Sequence, residues 1–469
     1  IFINDLAVEL NQLGLGVPLY ARRVSILLYA DDIVLIADSA SDLQLMLDCA
    51  NAYACKWRFR FNAKPGKSGI VVAKPLGDRS EQHLSFRLGP SVLHTAVEYR
   101  YLGVEFGHLD SWNRHLARVL KAARFQMLSV WHSVRGISPI HIATAVKLFN
   151  TFVRPIMEYA DSIWGCLCSR IFLTKLNRLQ ISFGRLVLRL PSQAANVYVL
   201  RELHMESVEE RVEKAQLSFF GRLAAMGDQR LAGYIFRKRC DEVDDGGAPG
   251  SWCALVKPLL QADPTLRPVW ESRTKPPGWK GLVVASCRTK FLTRSNQELA
   301  LKSSLTLFRR LGAMSQESLR VPINHPGAVI RFRLRAGCAH LMNFVCARSH
   351  PDIWEECRWC ILGCRSGEVE DAEHFVSRCS VFNEERDICL ANINAALGSL
   401  PAPRLRRAMV NADVALFLGD DRLQELPKDV RRRVDRIICD FLMVAWRKRD
   451  SLWLPQCVEG SNGWRLRER

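Results

Sequence analysis

The spacing of apolar and polar positions changes character about a hundred residues into the chain. Residues 24–29 and 33–37 are short apolar runs joined through Ala30-Asp31-Asp32, the composition of two strands around a tight turn. From Ser39 to Ala54 the period lengthens. Leu43, Met46, Leu47, Ala50 and Ala54 fall on one helical face, with Ser41 or Asp42 as the expected N-terminal cap. Residues 58–72 and 97–106 return to strand-like composition, with Gly and Pro between them. Beyond this the pattern is helical. Leu116, Leu120, Ala123, Met127 and Val130 recur at i, i+4, i+7, i+11 and i+14, while Arg114, Arg118 and Lys121 take roughly the opposite face. This predicts an amphipathic helix with a basic stripe, which fits phosphate contact and a solvated charged face equally.

The residues from Asp241 to Gly250 have linker composition, a Pro-rich stretch covers 263–281, and helical spacing resumes over 282–310. A compact Cys/His segment lies within 330–390, followed by a basic tail with Arg431-Arg432-Arg433 and Arg447-Lys448-Arg449. The expected division is 1–107, 108–240, 241–325, 326–395 and 396–469. No internal repeat or low-complexity tract interrupts it.

Bulk properties narrow the picture. A chain of 469 residues has room for two to four domains. With 48% hydrophobic and 9% aromatic residues, it has globular rather than disordered composition. The formal charge of +18 favours a polyanionic partner, because Lys and Arg displace counterions condensed on phosphates. The longest apolar segment, 26–37, is broken by Asp31 and Asp32, and nothing approaches the roughly 18 apolar residues of a membrane span. No basic region followed by an apolar core marks a signal peptide. The 16 Cys are scattered, as reduced thiols with one metal site would be, so an intracellular protein of nucleus or cytoplasm is expected. The chain opens Ile1-Phe2-Ile3-Asn4-Asp5, without Met or a capping signal, which reads as cut from something longer.

Two adjacent carboxylates in a tight turn repel each other, and a divalent cation is the usual remedy. A solvated Asp-Asp turn is the plainer alternative. The order of motifs is informative here. Tyr29-Ala30-Asp31-Asp32 between strands resembles the signature of a reverse transcriptase palm. Residues 1–6 are similar to the helix after that family's template-and-nucleotide motif. Phe61-Asn62-Ala63-Lys64-Pro65-Gly66-Lys67-Ser68 resembles its Asn/Lys motif, and Tyr99-Arg100-Tyr101-Leu102-Gly103-Val104 its primer-grip hairpin. Residues 153–165 and 176–185 resemble the helical region after the palm in non-LTR retrotransposon elements.

The resemblance implies an α+β fold: a partial palm, a helical thumb-like region and a small zinc-binding segment. It implies RNA-directed DNA synthesis, with RNA template, DNA primer or target and deoxynucleoside triphosphates as partners, and no membrane. Mg²⁺ or Mn²⁺ would be held by Asp31 and, more weakly, Asp32. Lys67, with Lys64 as rival, would meet nucleotide phosphates. Tyr29 and Ala30 would line the primer end, and Asn62, Tyr101, Leu102 and Gly103 would contact substrate or primer. The family's other metal-binding Asp lies well upstream of this turn, and only 28 residues precede Tyr29. The chain alone is therefore expected not to polymerise. The alternative is a catalytically inactive nucleic-acid-binding remnant of a retroelement.

Cys357, Cys360, His374 and Cys379 form C-x2-C-x13-H-x4-C, three thiolates and one imidazole, a donor set that suits tetrahedral Zn²⁺. Cys364 is ranked below these four as a replacement ligand, and unligated buried Cys with a core His is the alternative. Non-LTR reverse transcriptases often end in a Cys-Cys-His-Cys segment, which Asp371-Ala372-Glu373-His374-Phe375 and Cys379 resemble. Arg358, Trp359, Arg365 and Arg378 around the ligands fit phosphate contact and base stacking, and equally a packed Trp with solvated arginines.

Overall fold

The computed structural model describes residues 3–73, 84–107, 112–136, 140–341, 364, 367–419 and 421–458. Helices dominate, with four small antiparallel hairpins near the N-terminus, so the mixed α+β class read from the sequence holds. The chain forms two compact units. One comprises 1–119, 160–169 and 212–283, and the other 120–159, 170–211 and 284–469.

In the first unit the hairpins pair β1 (Val17–Leu19) with β2 (Arg22–Val24), β3 (Ile26–Tyr29) with β4 (Asp32–Leu35), β5 (Ser85–Leu88) with β6 (Ser91–His94), and β7 (Glu98–Tyr101) with β8 (Val104–Gly107). Each is a separate two-stranded ladder among the described residues. Isolated hairpins are marginal in water, so their stability comes from packing on helices. The helix Ala40–Lys56 supplies two apolar faces for this. Met46, Ala50 and Tyr53 bury against Leu6 and Leu10 of the helix Asn4–Gln12, while Leu47 joins Ile70, Phe86, Leu88 and Leu93.

Two local expectations are corrected in this unit. The cap of the helix is Ser39, whose Oγ accepts from the Asp42 N–H at 3.1 Å; Ser39 is the last residue with extended backbone before the helix. Residues 58–72 form no strand. Tyr53, Phe59 and Phe61 instead meet ring to ring, at 6.2 and 5.2 Å, and a turn at Lys64–Lys67 interrupts the run, leaving Ile70 to bridge Thr95. The predicted linker is also more ordered than its composition implies. The helix Leu231–Asp244 extends into it, and Asp244 receives Lys257 Nζ at 2.8 Å, Trp270 Nε1 at 3.0 Å and the Arg273 guanidinium.

In the second unit the long helix Lys428–Val458 is the spine. The helices Pro326–Arg335 and Asn383–Leu397 pack along it, and Phe375, Phe382, Leu405, Phe417, Val434 and Leu442 share one apolar core. Part of the basic tail belongs to that interior. Arg431 caps the Gln424 and Leu426 carbonyls at 2.7 and 3.0 Å, and Arg449 is buried against Glu370 at 2.6 Å.

Gly327 marks where the spine helix approaches most closely, because a Cβ there would sit 1.7 Å from the Cys439 carbonyl oxygen. Gly327→Ala should therefore force two helix backbones apart and destabilise this unit by about 2–3 kcal/mol, the upper range for overpacking. Urea denaturation followed by circular dichroism reads the loss; an unchanged midpoint would contradict the close approach. The helix Asn113–Gly136 matches the predicted amphipathic segment and runs beyond it, with Leu116, Ala123, Met127 and Val130 buried. Among the described residues no helix is long and apolar enough to cross a membrane.

Candidate functional site

The acidic turn is a two-residue loop. Tyr29 pairs with Asp32 at the end of the β3–β4 ladder, leaving Ala30 and Asp31 at the tip. Ala30 has φ +53°, a left-handed conformation that costs a non-glycine residue about 1–2 kcal/mol. Asp31 and Asp32 are exposed, and Tyr29 is 64% exposed. The negative charge of Asp32 reaches Tyr99 and Tyr101, so that burial first and Asp32 second push both phenols above their usual pKa.

Three segments far apart in sequence meet beneath this turn. A cavity of about 510 Å³ is lined by Leu27 and Ile33 of the acidic hairpin, Lys67 of the following turn, and Tyr99, Tyr101 and Phe106 of the β7–β8 hairpin. Tyr99 donates its hydroxyl to the Lys67 carbonyl at 2.6 Å and so ties two of the three together. Asn62 shapes its own turn, accepting from the Lys64 N–H at 3.2 Å through Oδ1 and from Ser68 Oγ at 3.0 Å through its carbonyl. Leu102 and Gly103, at φ +46° and +80°, form the tip of the β7–β8 hairpin.

Two members of the predicted basic stripe are engaged with that hairpin. Arg114 pairs with Glu98 at 3.1 Å, and Arg118 pairs with Glu105 at 2.5 Å while donating to the Gly103 carbonyl at 2.8 Å. Lys121 is exposed. Arg114 and Arg118 thus hold the Tyr99–Tyr101 segment in place, whatever else they contact.

The second site is the Cys/His segment. Cys364 Sγ lies 3.6 Å from His374 Nε2, and the ligand atoms of Cys364, His374 and Cys379 all fall within 4.8 Å of one another. Tetrahedral Zn²⁺ with ordinary bond lengths sets sulfur and nitrogen about 3.6 Å apart, so the Cys364–His374 separation matches a tetrahedral edge. His374 and Cys379 are fully buried and Cys364 partly so. Among the described residues this is the one group of three or more such side chains close enough to hold a metal ion, and no third ligand joins Asp31 and Asp32. Of the predicted zinc ligands, Cys357 and Cys360 lie outside the described residues, as do Arg358, Trp359 and Arg365.

The backbone explains why His374 and Cys379 meet. On an α-helix residues five apart point about 140° away from each other. Here 374–378 form a π-turn, closed by the Cys379 N–H donating to the His374 carbonyl at 2.7 Å, and the wider turn brings both side chains to one side. Asp371 Oδ1 accepts from the His374 N–H at 2.7 Å, and Arg386 donates to the Val376 and Cys379 carbonyls at 3.0 and 2.8 Å. The far nitrogen of the imidazole, Nδ1, is 2.9 Å from Glu368 Oε2. The hydrogen bond from His374, opposed by burial and aided by the Arg378 charge, holds the Glu368 carboxyl below its usual pKa. Phe375 packs edge-on against Phe382 and Trp446, so the segment is seated in the unit's core.

No family model and no curated protein matches this chain.

The sequence placed Cys364 below Cys357 and Cys360 as a ligand and singled out neither Glu368 nor Arg386; of the three cysteines, Cys364 is the one among the described residues, and it lies beside His374. Cys364 carries a spacing signal, standing closer to His374 in sequence than Cys357 or Cys360. Glu368 and Arg386 carry no spacing signal, because a single Glu or Arg near a histidine is commonplace.

Proposed function

We propose that this chain is part of an RNA-directed DNA polymerase of the non-LTR retrotransposon kind, and that alone it grips nucleic acid without extending a primer. The observation that supports this reading is that the strands carrying the acidic turn, Lys67 and the Tyr99–Tyr101 strand line one cavity, with Asp32 near enough for its charge to reach Tyr99 and Tyr101. Chance similarity of short motifs gives no reason for Leu27, Ile33, Lys67, Tyr99 and Tyr101 to line the same cavity. In this reading Asp31 is the principal metal carboxylate and Asp32 the weaker one. Lys67 meets nucleotide phosphates, and the β7–β8 hairpin steadies the primer.

The donor set limits the chemistry. Mg²⁺ in nucleotidyl transfer is held by carboxylates, waters and substrate phosphates. The described residues offer two exposed carboxylates and no third ligand, so the fit is incomplete and no catalytic step follows from it. What remains available is binding through the +18 charge and through a zinc-organised segment held by Cys364, His374 and Cys379. The +18 charge and the Cys364–His374–Cys379 cluster equally support the second reading, a nucleic-acid-binding remnant of a retroelement.

One pair of measurements tests both. The purified chain, supplied with Mg²⁺ or Mn²⁺, deoxynucleoside triphosphates and an RNA template with annealed DNA primer, should give no extension. Fluorescence anisotropy with the same hybrid should show binding whose log K falls linearly with log salt, by about 0.7–0.9 per phosphate contacted. Extension abolished by Asp31→Asn would place catalysis within the chain. Absence of salt-sensitive binding would remove both readings.

A further inference from the structure

We propose that Glu368 is the positioning residue of the zinc site, fixing the tautomer and aim of His374; the inference rests on the zinc reading above. A carboxylate only accepts hydrogen bonds, so the 2.9 Å contact from Glu368 Oε2 places the imidazole proton on Nδ1. Nε2 is thereby left with its lone pair, on the side facing Cys364 Sγ at 3.6 Å. A histidine that ligates through Nε2 needs this arrangement, and a second carboxylate partner both orients the ring and raises its basicity.

Glu368 is itself held. Arg378 Nε reaches the same Oε2 at 3.0 Å, and Arg378 Nη2 lies 3.9 Å from Asp371 Oδ1, the group that caps the His374 N–H. The carboxylate is thus tied to both ends of the π-turn that carries the ligands. Nothing in this arrangement requires a metal to form, so the imidazole is set before an ion arrives. A salt bridge with a partly exposed carboxylate contributes little to stability, whereas a hydrogen bond to the buried ring fixes a ligand direction. The geometry therefore favours a role in metal binding over one in folding.

Zinc affinity of the full chain, measured by competition with a chromophoric chelator, tests the assignment. Glu368→Ala should bind zinc about 10–100-fold more weakly, the usual cost of losing such a partner. Glu368→Gln keeps an acceptor oxygen for Nδ1–H, and so the tautomer, but not the charge that raises the ring's basicity, and should fall between Glu368→Ala and the parent. Far-UV circular dichroism checks that both variants fold. In the zinc-loaded parent, ¹⁵N chemical shifts should report a protonated Nδ1 and a metal-bound Nε2 at His374, a readout that mere packing would not produce. Equal affinity of Glu368→Ala and the parent, or ligation through Nδ1, would overturn the proposal. A parent chain that binds no zinc would instead remove the site itself.

Discussion

Cys364→Ser is expected to lose zinc. Structural zinc sites derive about 10–16 kcal/mol from four ligands acting together, so deleting one thiolate should weaken binding by about 100-fold or more. Among the described residues Cys364 is the cysteine that meets His374 Nε2 at tetrahedral-edge distance, and with His374 and Cys379 it would supply three corners of the site. The fourth corner should come from Cys357 or Cys360. Serine variants of these two should therefore differ, one matching Cys364→Ser and the other close to the parent. Zinc per chain after dialysis against a weak chelator decides the question. If Cys364→Ser keeps its zinc while Cys357→Ser and Cys360→Ser both lose theirs, the ligand set is the C-x2-C…H-x4-C quartet and Cys364 is a bystander.

That contrast shows where sequence reading stops. Spacing identified His374 and Cys379 because short-range pairs are constrained by local backbone, here a five-residue π-turn. It leaves the rank of Cys364 against Cys357 and Cys360 undecided, because the choice among thiols ten, fourteen and seventeen residues upstream depends on how a loop returns, which no periodicity records. The same division holds in the fold. The β3–β4 and β7–β8 hairpins and the helices Ala40–Lys56 and Asn113–Gly136 follow from alternation, turn residues and a 3.6-residue period. Residues 58–72 had strand composition yet form none; Phe59 packs on Tyr53 and Phe61 on Phe59 instead. The arginines of the tail and stripe were legible as charge but not as contacts. Arg118 and Arg449 are occupied by the carboxylates of Glu105 and Glu370, and Arg431 by the Gln424 and Leu426 carbonyls that precede its helix.

The largest stability effect should come from Glu202→Ala in the second unit. Glu202 and Arg335 are both fully buried and paired through two bonds, at 2.7 and 3.0 Å. The guanidinium also donates to the carbonyls of Gly312, Leu418 and Gly419, at 2.5, 2.9 and 2.6 Å, so it ties three segments together. Removing the carboxylate leaves a charge in the core with no counter-ion, opposed only by neutral groups such as the carbonyls and the Phe308 ring, and the cost of such a break is about 3–5 kcal/mol. Arg335→Met added to Glu202→Ala should recover part of that loss, because the penalty belongs to the unpaired charge and not to the missing contact. Urea midpoints of the two single variants and the double variant form the cycle. A Glu202→Ala midpoint indistinguishable from the parent would mean that water reaches the pair. The consequence extends to the candidate metal site, since Leu334 and Leu418 beside the pair share an apolar cluster with Phe375, the residue after His374. Glu202→Ala should thus weaken zinc binding without touching a ligand, and zinc in excess should return part of the lost stability by mass action.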